Sequence, residues 1–251
     1  MYDKMVVEHF DKAIKSDYYS SVISRRKKYN DAVDEFVISH IKRNGYKTLL
    51  DAGCGTGGRA LHYRASIPDL HIVGIDISPQ MIHTARKNGL TETRCCSITS
   101  TEYPDASFEV ITCLFFVYCY LTNKSERLAA MRELYRILKP GGVMFMDCIM
   151  RHHKGENLEY QKNFKRALAD FFCKSKKLML PGDRTYIVHY PDGSVATNYF
   201  HAYSEHEMKR LIRTSGFYKY DERAFGYVTG CECHDKDRGQ RVFVLMKPNL
   251  S

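Results

Sequence analysis

Apolar positions change period along the chain. In the first 45 residues Val33, Phe36, Val37 and Ile41 recur at helical spacing, with Ala32 and Ile38 beside them, and Asn44-Gly45 supplies a stop. From residue 47 onward the apolar residues gather into short continuous runs. Residues 47–52 read as a strand, followed by a glycine loop and a helix to about Ile67, where Pro68-Asp69 breaks it. His71 to Asp76 reads as a second buried strand. Ser78-Pro79 then opens a helix with a cap residue and a first-turn proline, ending near Asn88-Gly89. A short strand is expected around Thr93–Ser97 and a clear one over Phe108–Leu114. Lys124–Leu138 reads as a helix ended by Lys139-Pro140-Gly141-Gly142, and Val143–Ile149 as another buried strand. Strands alternate with helices, and their apolar runs are unbroken. That predicts an α/β fold whose parallel sheet is covered on both faces.

Residues 151–200 break this rhythm. They are basic, rich in Tyr and Phe, and carry the turn signals Pro181-Gly182-Asp183 and Pro191-Asp192-Gly193. Ser204-Glu205-His206-Glu207 starts a helix with a capping-box pattern that ends at Ser215-Gly216. Phe217–Tyr227 and Arg241–Met246 read as two closing strands joined as a hairpin.

The 44% hydrophobic and 27% charged residues are those of an ordinary globular chain. No apolar run approaches the roughly 18 residues of a membrane span. Met1-Tyr2-Asp3-Lys4 lacks the apolar stretch of a secretory signal, so nine cysteines point to reduced thiols in the cytoplasm. The net charge of +9 is uneven. Residues 48–150 hold 10 basic and 10 acidic side chains, residues 1–47 hold 10 against 7, and residues 151–251 hold 18 against 12. The excess therefore lies in the flanks. If the flanks face the substrate, an anionic small molecule or RNA is favoured, and otherwise they are a solvated basic surface.

The most informative residues are Leu49-Leu50-Asp51-Ala52-Gly53-Cys54-Gly55-Thr56-Gly57-Gly58. The glycines permit a tight turn and close approach of a ligand to bare backbone. Gly53, Gly55 and Gly58 also fit the dinucleotide fingerprint. Asp51 separates the two readings, because a buried carboxylate ahead of the loop would repel a pyrophosphate and suit a ligand with a cationic amine. Asp76 ends the second strand 25 residues later, where a carboxylate can accept from ribose hydroxyls.

Four segments in order resemble the class I S-adenosylmethionine-dependent methyltransferases. They are Asp51–Gly57, Ile75-Asp76-Ile77-Ser78-Pro79-Gln80-Met81, Tyr103–Ile111 and Arg132–Gly142. The resemblance covers roughly residues 45–150. It implies a Rossmann-like, seven-stranded, mostly parallel sheet with an antiparallel final hairpin. It also implies an N-terminal helical cap (1–45), a cofactor-binding core (46–150), an inserted cap on the substrate side (151–203), and a C-terminal helix and hairpin (204–251). Asp51, Gly53 and Gly55 would hold the methionine end, Asp76 the ribose, and Ile77 and Met81 the adenine face. Ser97 and Ile98 would flank the adenine amine, and Leu114 or Phe115 the methionine side. Many relatives have Asp where Ser97 stands. Tyr18 and Tyr19 lie where relatives fold a helix over the cofactor.

The acceptor is not legible in these motifs. Tyr118 and Tyr120 follow the fourth strand at the expected substrate mouth, with core packing as the alternative. His201 in Tyr199–Tyr203 is the candidate base, against a structural histidine. His152-His153 and Cys231-Glu232-Cys233-His234 lack a second ligand pair, so no metal is assigned. Arg25–Lys28 and Lys174–Lys177 read as solvated faces. The expected activity is methyl transfer to an O or N atom of a small metabolite. The alternatives are an RNA methyltransferase of the tRNA wobble-uridine type and a non-catalytic S-adenosylmethionine-binding protein.

Overall fold

The computed structural model describes residues 2–151 and 181–249. His152-His153 and the lysines at 174–177 lie outside the described residues, as does most of the expected insert.

The N-terminal stretch forms three helices, α1 (Tyr2–Lys15), α2 (Tyr18–Arg25) and α3 (Lys27–Asn44). The last ends at Gly45, which caps it in the left-handed conformation. Strands and helices then alternate: β1 (Thr48–Ala52), α4 (Gly58–Ser66), β2 (His71–Asp76), α5 (Pro79–Lys87), β3 (Thr93–Cys95), β4 (Phe108–Cys113), a single 3₁₀ turn (Val117–Tyr120), α6 (Lys124–Ile137) and β5 (Leu138–Asp147). Beyond residue 180 come β6 (Asp183–His189), β7 (Val195–His201), α7 (Glu205–Ser215), β8 (Tyr218–Phe225) and β9 (Gln240–Met246).

Seven strands make one sheet in the order β3-β2-β1-β4-β5-β9-β8. The first five are parallel, and β9 runs antiparallel to both β5 and β8. Side chains alternate between faces, as the pleat requires. Leu50, Ile111, Met144 and Met146 pack with Ala130, Met131, Leu134 and Ile212 from α6 and α7. Leu49, Val110, Val143 and Phe145 pack with Val33, Val37, Ile41, Ala60 and Tyr63 from α3 and α4. The strand order reverses between β1 and β4, which opens a crevice beyond their carboxyl ends.

Two expectations are corrected. Lys139-Pro140-Gly141-Gly142 does not end the helix as a free turn. β5 begins at Leu138, opposite Phe108, and the pairing shifts so that Val143 meets Val110. Gly141, at φ 74°, lets the extra residues bulge out while its N–H donates to Lys247 O. The second concerns Ser204–Glu207. Ser204 Oγ accepts from Glu207 N as a cap should, but the Glu207 carboxylate turns to Arg127, Arg151 and His201.

β6 and β7 form a separate two-stranded ribbon, turned at Pro191-Asp192-Gly193. It meets α1 through His9 Nδ1 and Tyr190 Oη, 2.6 Å apart, and α2 through an edge-to-face contact of Tyr18 with Tyr190. Burial pulls the His9 pKa down to about 4, so its imidazole is neutral in this contact at ordinary pH.

Candidate functional site

A cavity of about 890 Å3 lies at the reversal of strand order, within the range of roughly 300–1,000 Å3 that small-molecule and cofactor sites occupy. The loop after β1 forms its floor. Gly53 N and Cys54 N both donate to Ile75 O, at 2.7 and 2.8 Å, which pins the loop to the end of β2. Gly53 has φ 85°, and a Cβ there would overlap Val117. Gly55 has φ 54°, and a Cβ there would stand 2.6 Å from Tyr19 Oη. The bare loop therefore allows the β4 side and α2 to approach from above.

Two carboxylates sit in this floor. Asp51 is 2% exposed and accepts from Thr112 Oγ1 at 2.8 Å. Burial raises its pKa to about 6, with Arg59 and the Thr112 bond opposing the rise. A cationic group placed beside it would repay that desolvation. Asp76 accepts from Gly55 N (3.0 Å) and Ser78 N (2.9 Å), one bond to each oxygen. Burial again raises its pKa, against these backbone bonds. Each oxygen keeps a lone pair for further donors. Ser78 also caps α5 by accepting from Met81 N, so the same four residues set Asp76 and aim Met81 at the cavity.

Nine of the ten expected cofactor residues line this cavity: Tyr19, Asp51, Gly53, Gly55, Asp76, Ile77, Met81, Ser97 and Ile98. Ser97 Oγ is engaged locally, accepting from Thr99 N and lying 2.8 Å from Thr99 Oγ1. Leu114 is the exception. It is buried in the core on the α3–α4 face of the sheet, and Phe115 reaches the cavity instead. Both residues lie past the end of β4 at Cys113, and Phe115 turns the chain there in the left-handed conformation at φ 66°.

Both catalytic candidates lie elsewhere. Tyr118 is fully buried, and its hydroxyl donates to Arg127 O at 2.6 Å. Burial holds its pKa well above the ordinary phenol value. His201 is 1% exposed. Its Nδ1 lies 2.6 Å from Asp183 Oδ1 and its Nε2 3.1 Å from Glu207. Arg127 reaches the same two carboxylates, and Tyr199 Oη donates to Asp183. These two residues belong to a buried polar network that ties the β6–β7 ribbon to α6 and α7. Tyr120 does line the cavity, edge-on to Phe10 at 5.2 Å.

Several lining residues were not foreseen. Val6, Phe10 and Ile14 of α1 enter the cavity. Their spacing of four residues is a helical apolar stripe and could have been read from the sequence. Arg59 and Asp34 also line it, joined by a 2.6 Å ion pair in which Asp34 further accepts from Tyr63 Oη. Arg59 lies 25 positions from its partner, and no local pattern marks it. The fit to S-adenosylmethionine is good. A buried carboxylate in need of a cation, a second carboxylate at the end of β2, apolar faces at Ile77, Met81 and Ile98, and a guanidinium at Arg59 match its amine, ribose, adenine and carboxylate.

Comparison with known proteins agrees. Residues 49–142 match the family model described as a methyltransferase domain. Phosphoethanolamine N-methyltransferase 1 of Arabidopsis thaliana is 33% identical over 141 residues, covering 54% of this chain and 28% of that protein. A demethylmenaquinone methyltransferase of Deinococcus radiodurans is 32% identical over 105 residues, covering 40% and 42%. The chain thus spans less than half the length of these curated relatives. A solved S-adenosylmethionine-dependent methyltransferase from Clostridium acetobutylicum superposes with a TM-score of 0.65 at 16% identity, covering 93% of this chain and 99% of that one, so the fold is shared. Residues 49–142 are thus similar to a methyltransferase domain, and the chain shares the Rossmann-like fold of a solved S-adenosylmethionine-dependent methyltransferase.

Proposed function

We propose that the protein transfers the methyl group of S-adenosylmethionine to an O or N atom of a small-molecule metabolite. The observation that carries this reading is the single cavity in which Asp51 and Asp76 face Phe10, Phe115 and Tyr120 under a roof of α1 and α2. Asp51 would hold the cofactor's amine, Arg59 its carboxylate and Asp76 its ribose. Ile77, Met81 and Ile98 would clasp the adenine with Ser97 at its edge, and Tyr19 would close over Gly55. The cofactor supplies an electrophilic methyl on a sulfonium, and its transfer to an acceptor lone pair leaves a neutral thioether. The chain's own contribution would be alignment and exclusion of water by the aromatic roof. Tyr118 and His201 take no part, since neither lines the cavity. The names of the relatives, one acting on phosphoethanolamine and one on demethylmenaquinone, support a small acceptor. Residues 1–45 and 151–203 would act as the cap over the core, within one methyltransferase unit.

Radiolabelled S-adenosylmethionine incubated with fractionated cell extract tests this. Label is expected in the small-molecule fraction. Label in RNA with none in small molecules would replace this reading by the RNA one. Binding of S-adenosylhomocysteine without label in any fraction would leave a non-catalytic binding protein.

A further inference from the structure

The cavity is acidic although the chain is basic. Among the described residues five aspartates line it, against one lysine and one arginine. Both cations are paired within the lining, Lys27 with Asp31 at 2.7 Å and Arg59 with Asp34 at 2.6 Å. Lys27 is thus the basic residue through which the described flanks reach the cavity, and its charge is taken by Asp31. Asp17, Asp51 and Asp76 are left as the carboxylates of the lining that have no cation beside them among the described residues.

The glycine loop divides this space. Tyr19 and Met81 lie against Gly55, and Val117 lies against Gly53. Asp76 also holds Gly55, so the ribose and adenine end is there, and the wall beyond Gly53 is left to the acceptor. That wall comes from α1 and the segment after β4: Phe10, Phe115, Val117, Tyr120 and Leu121. Phe10 meets Tyr120 edge-on with ring centres 5.2 Å apart. The Tyr120 hydroxyl hydrogen-bonds Tyr186 of the ribbon, whose hydroxyl also accepts from Asn198 Nδ2 at 2.9 Å. Tyr186 does not line the cavity, so Tyr120 offers the acceptor its ring and keeps its hydroxyl for the ribbon. Phe115 already faces Arg26, 5.0 Å from its ring centre, which leaves Phe10 and Tyr120 as the available rings.

An oxyanion in this space would lose its water against apolar side chains, near Asp51 and Asp76, with no cation of the lining to answer it. A hydroxyl acceptor must give its proton to a base as it is methylated, and this wall holds none. His62 lines the cavity from α4, one turn beyond Arg59, on the cofactor side. A neutral amine needs no base before transfer. Its lone pair forms the C–N bond as the C–S bond breaks, and that electron pair goes to sulfur. The positive charge moves from the sulfonium to the new ammonium, beside ring faces that attract a cation.

We propose that the methyl acceptor is the free base of an amine that bears no acid group, received against the rings of Phe10 and Tyr120. This rests on the methyl-transfer reading, but the wall itself is testable without turnover.

The test uses the full chain saturated with S-adenosylhomocysteine. Benzyltrimethylammonium, benzyl alcohol and benzoate are the probes, read by calorimetry. The cation should bind saturably, about tenfold tighter than benzoate, with the alcohol between them. Tyr120→Leu should weaken the cation by about fivefold or more. Tyr120→Phe, which keeps the ring and loses the bond to Tyr186, should leave it nearly unchanged. S-adenosylhomocysteine affinity should be unchanged in both variants, which also shows that they fold. Benzoate binding as tightly as the cation, or no saturable binding of the cation, overturns the proposal. Equal losses in Tyr120→Leu and Tyr120→Phe overturn the ring's part in it. In the extract assay, the labelled small molecules should be retained by a cation exchanger at neutral pH, and label confined to compounds that it does not retain overturns the amine. Label in RNA alone refutes the small-molecule reading instead, and the probes still judge the wall. Failure of S-adenosylhomocysteine to bind refutes the cofactor assignment, and the same probes titrated into the unliganded protein then judge the wall separately.

Discussion

At the scale of single residues, the site depends on carboxylates held where water is scarce. Asp76 uses one lone pair on each oxygen to hold the glycine loop and the start of α5, and the others remain for the ligand. Its loss removes two charge-assisted bonds and loosens Gly55. Asp76→Ala should therefore weaken S-adenosylhomocysteine binding at least tenfold by calorimetry, and unchanged affinity would refute the ribose assignment. Asp51 makes a pH prediction. With its pKa raised to about 6 in the ligand-free protein, a cationic amine binds best to the carboxylate form. Affinity should be full above pH 6 and fall by about tenfold per unit below it, with proton release on binding. Calorimetry at pH 5 and 7 in buffers of different ionisation enthalpy reads both. A pH-independent affinity would show that Asp51 does not meet the amine.

At the scale of elements, the β6–β7 ribbon is held at two ends. His9 and Tyr190 join it to α1, and Asp183, Tyr199 and His201 join it to Arg127 of α6 and Glu207 of α7. Arg127 is fully buried and also donates to Leu121 O and Thr122 O. Arg127→Met would leave Asp183 and Glu207 short of their cation. A loss of about 3–5 kcal/mol in urea unfolding is expected, and a loss below 1 kcal/mol would show the network to be loosely coupled to folding. Elements were the most legible level of the sequence. Ser78-Pro79, Asn44-Gly45 and Ser204 act locally, so their helix ends could be read from a few adjacent residues. Lys139–Gly142 was misread because its bulge exists only through pairing with Val110 on one side and Lys247 on the other.

At the scale of the whole molecule, α1 and α2 roof a cavity whose floor comes from the β1, β2 and β4 loops. A ligand there touches both, so binding should stabilise roof and floor together. At a hundredfold excess over its Kd, S-adenosylhomocysteine should add about 2.7 kcal/mol and raise Tm by roughly 5–11 °C. Hydrogen exchange should slow in residues 2–25 as well as 51–58. Protection confined to the glycine loop would show that the N-terminal helices do not close over the ligand. Among the described residues no helix is long and apolar enough to cross a membrane.

The class of cofactor and the topology were written in the order of short motifs, since a tight glycine turn, a helix cap and an unbroken apolar strand are each satisfied within a few residues. The partition of the aromatic and charged side chains was not. Tyr118 and Tyr120 are two residues apart, yet one is sealed under α6 and the other lines the cavity. His201 was a plausible base by position and is a buried strut by contact. Arg26 looked like one of four surface cations and sits among three rings. Those outcomes depend on what distant segments bring to the same point, and a linear pattern carries no distances between segments.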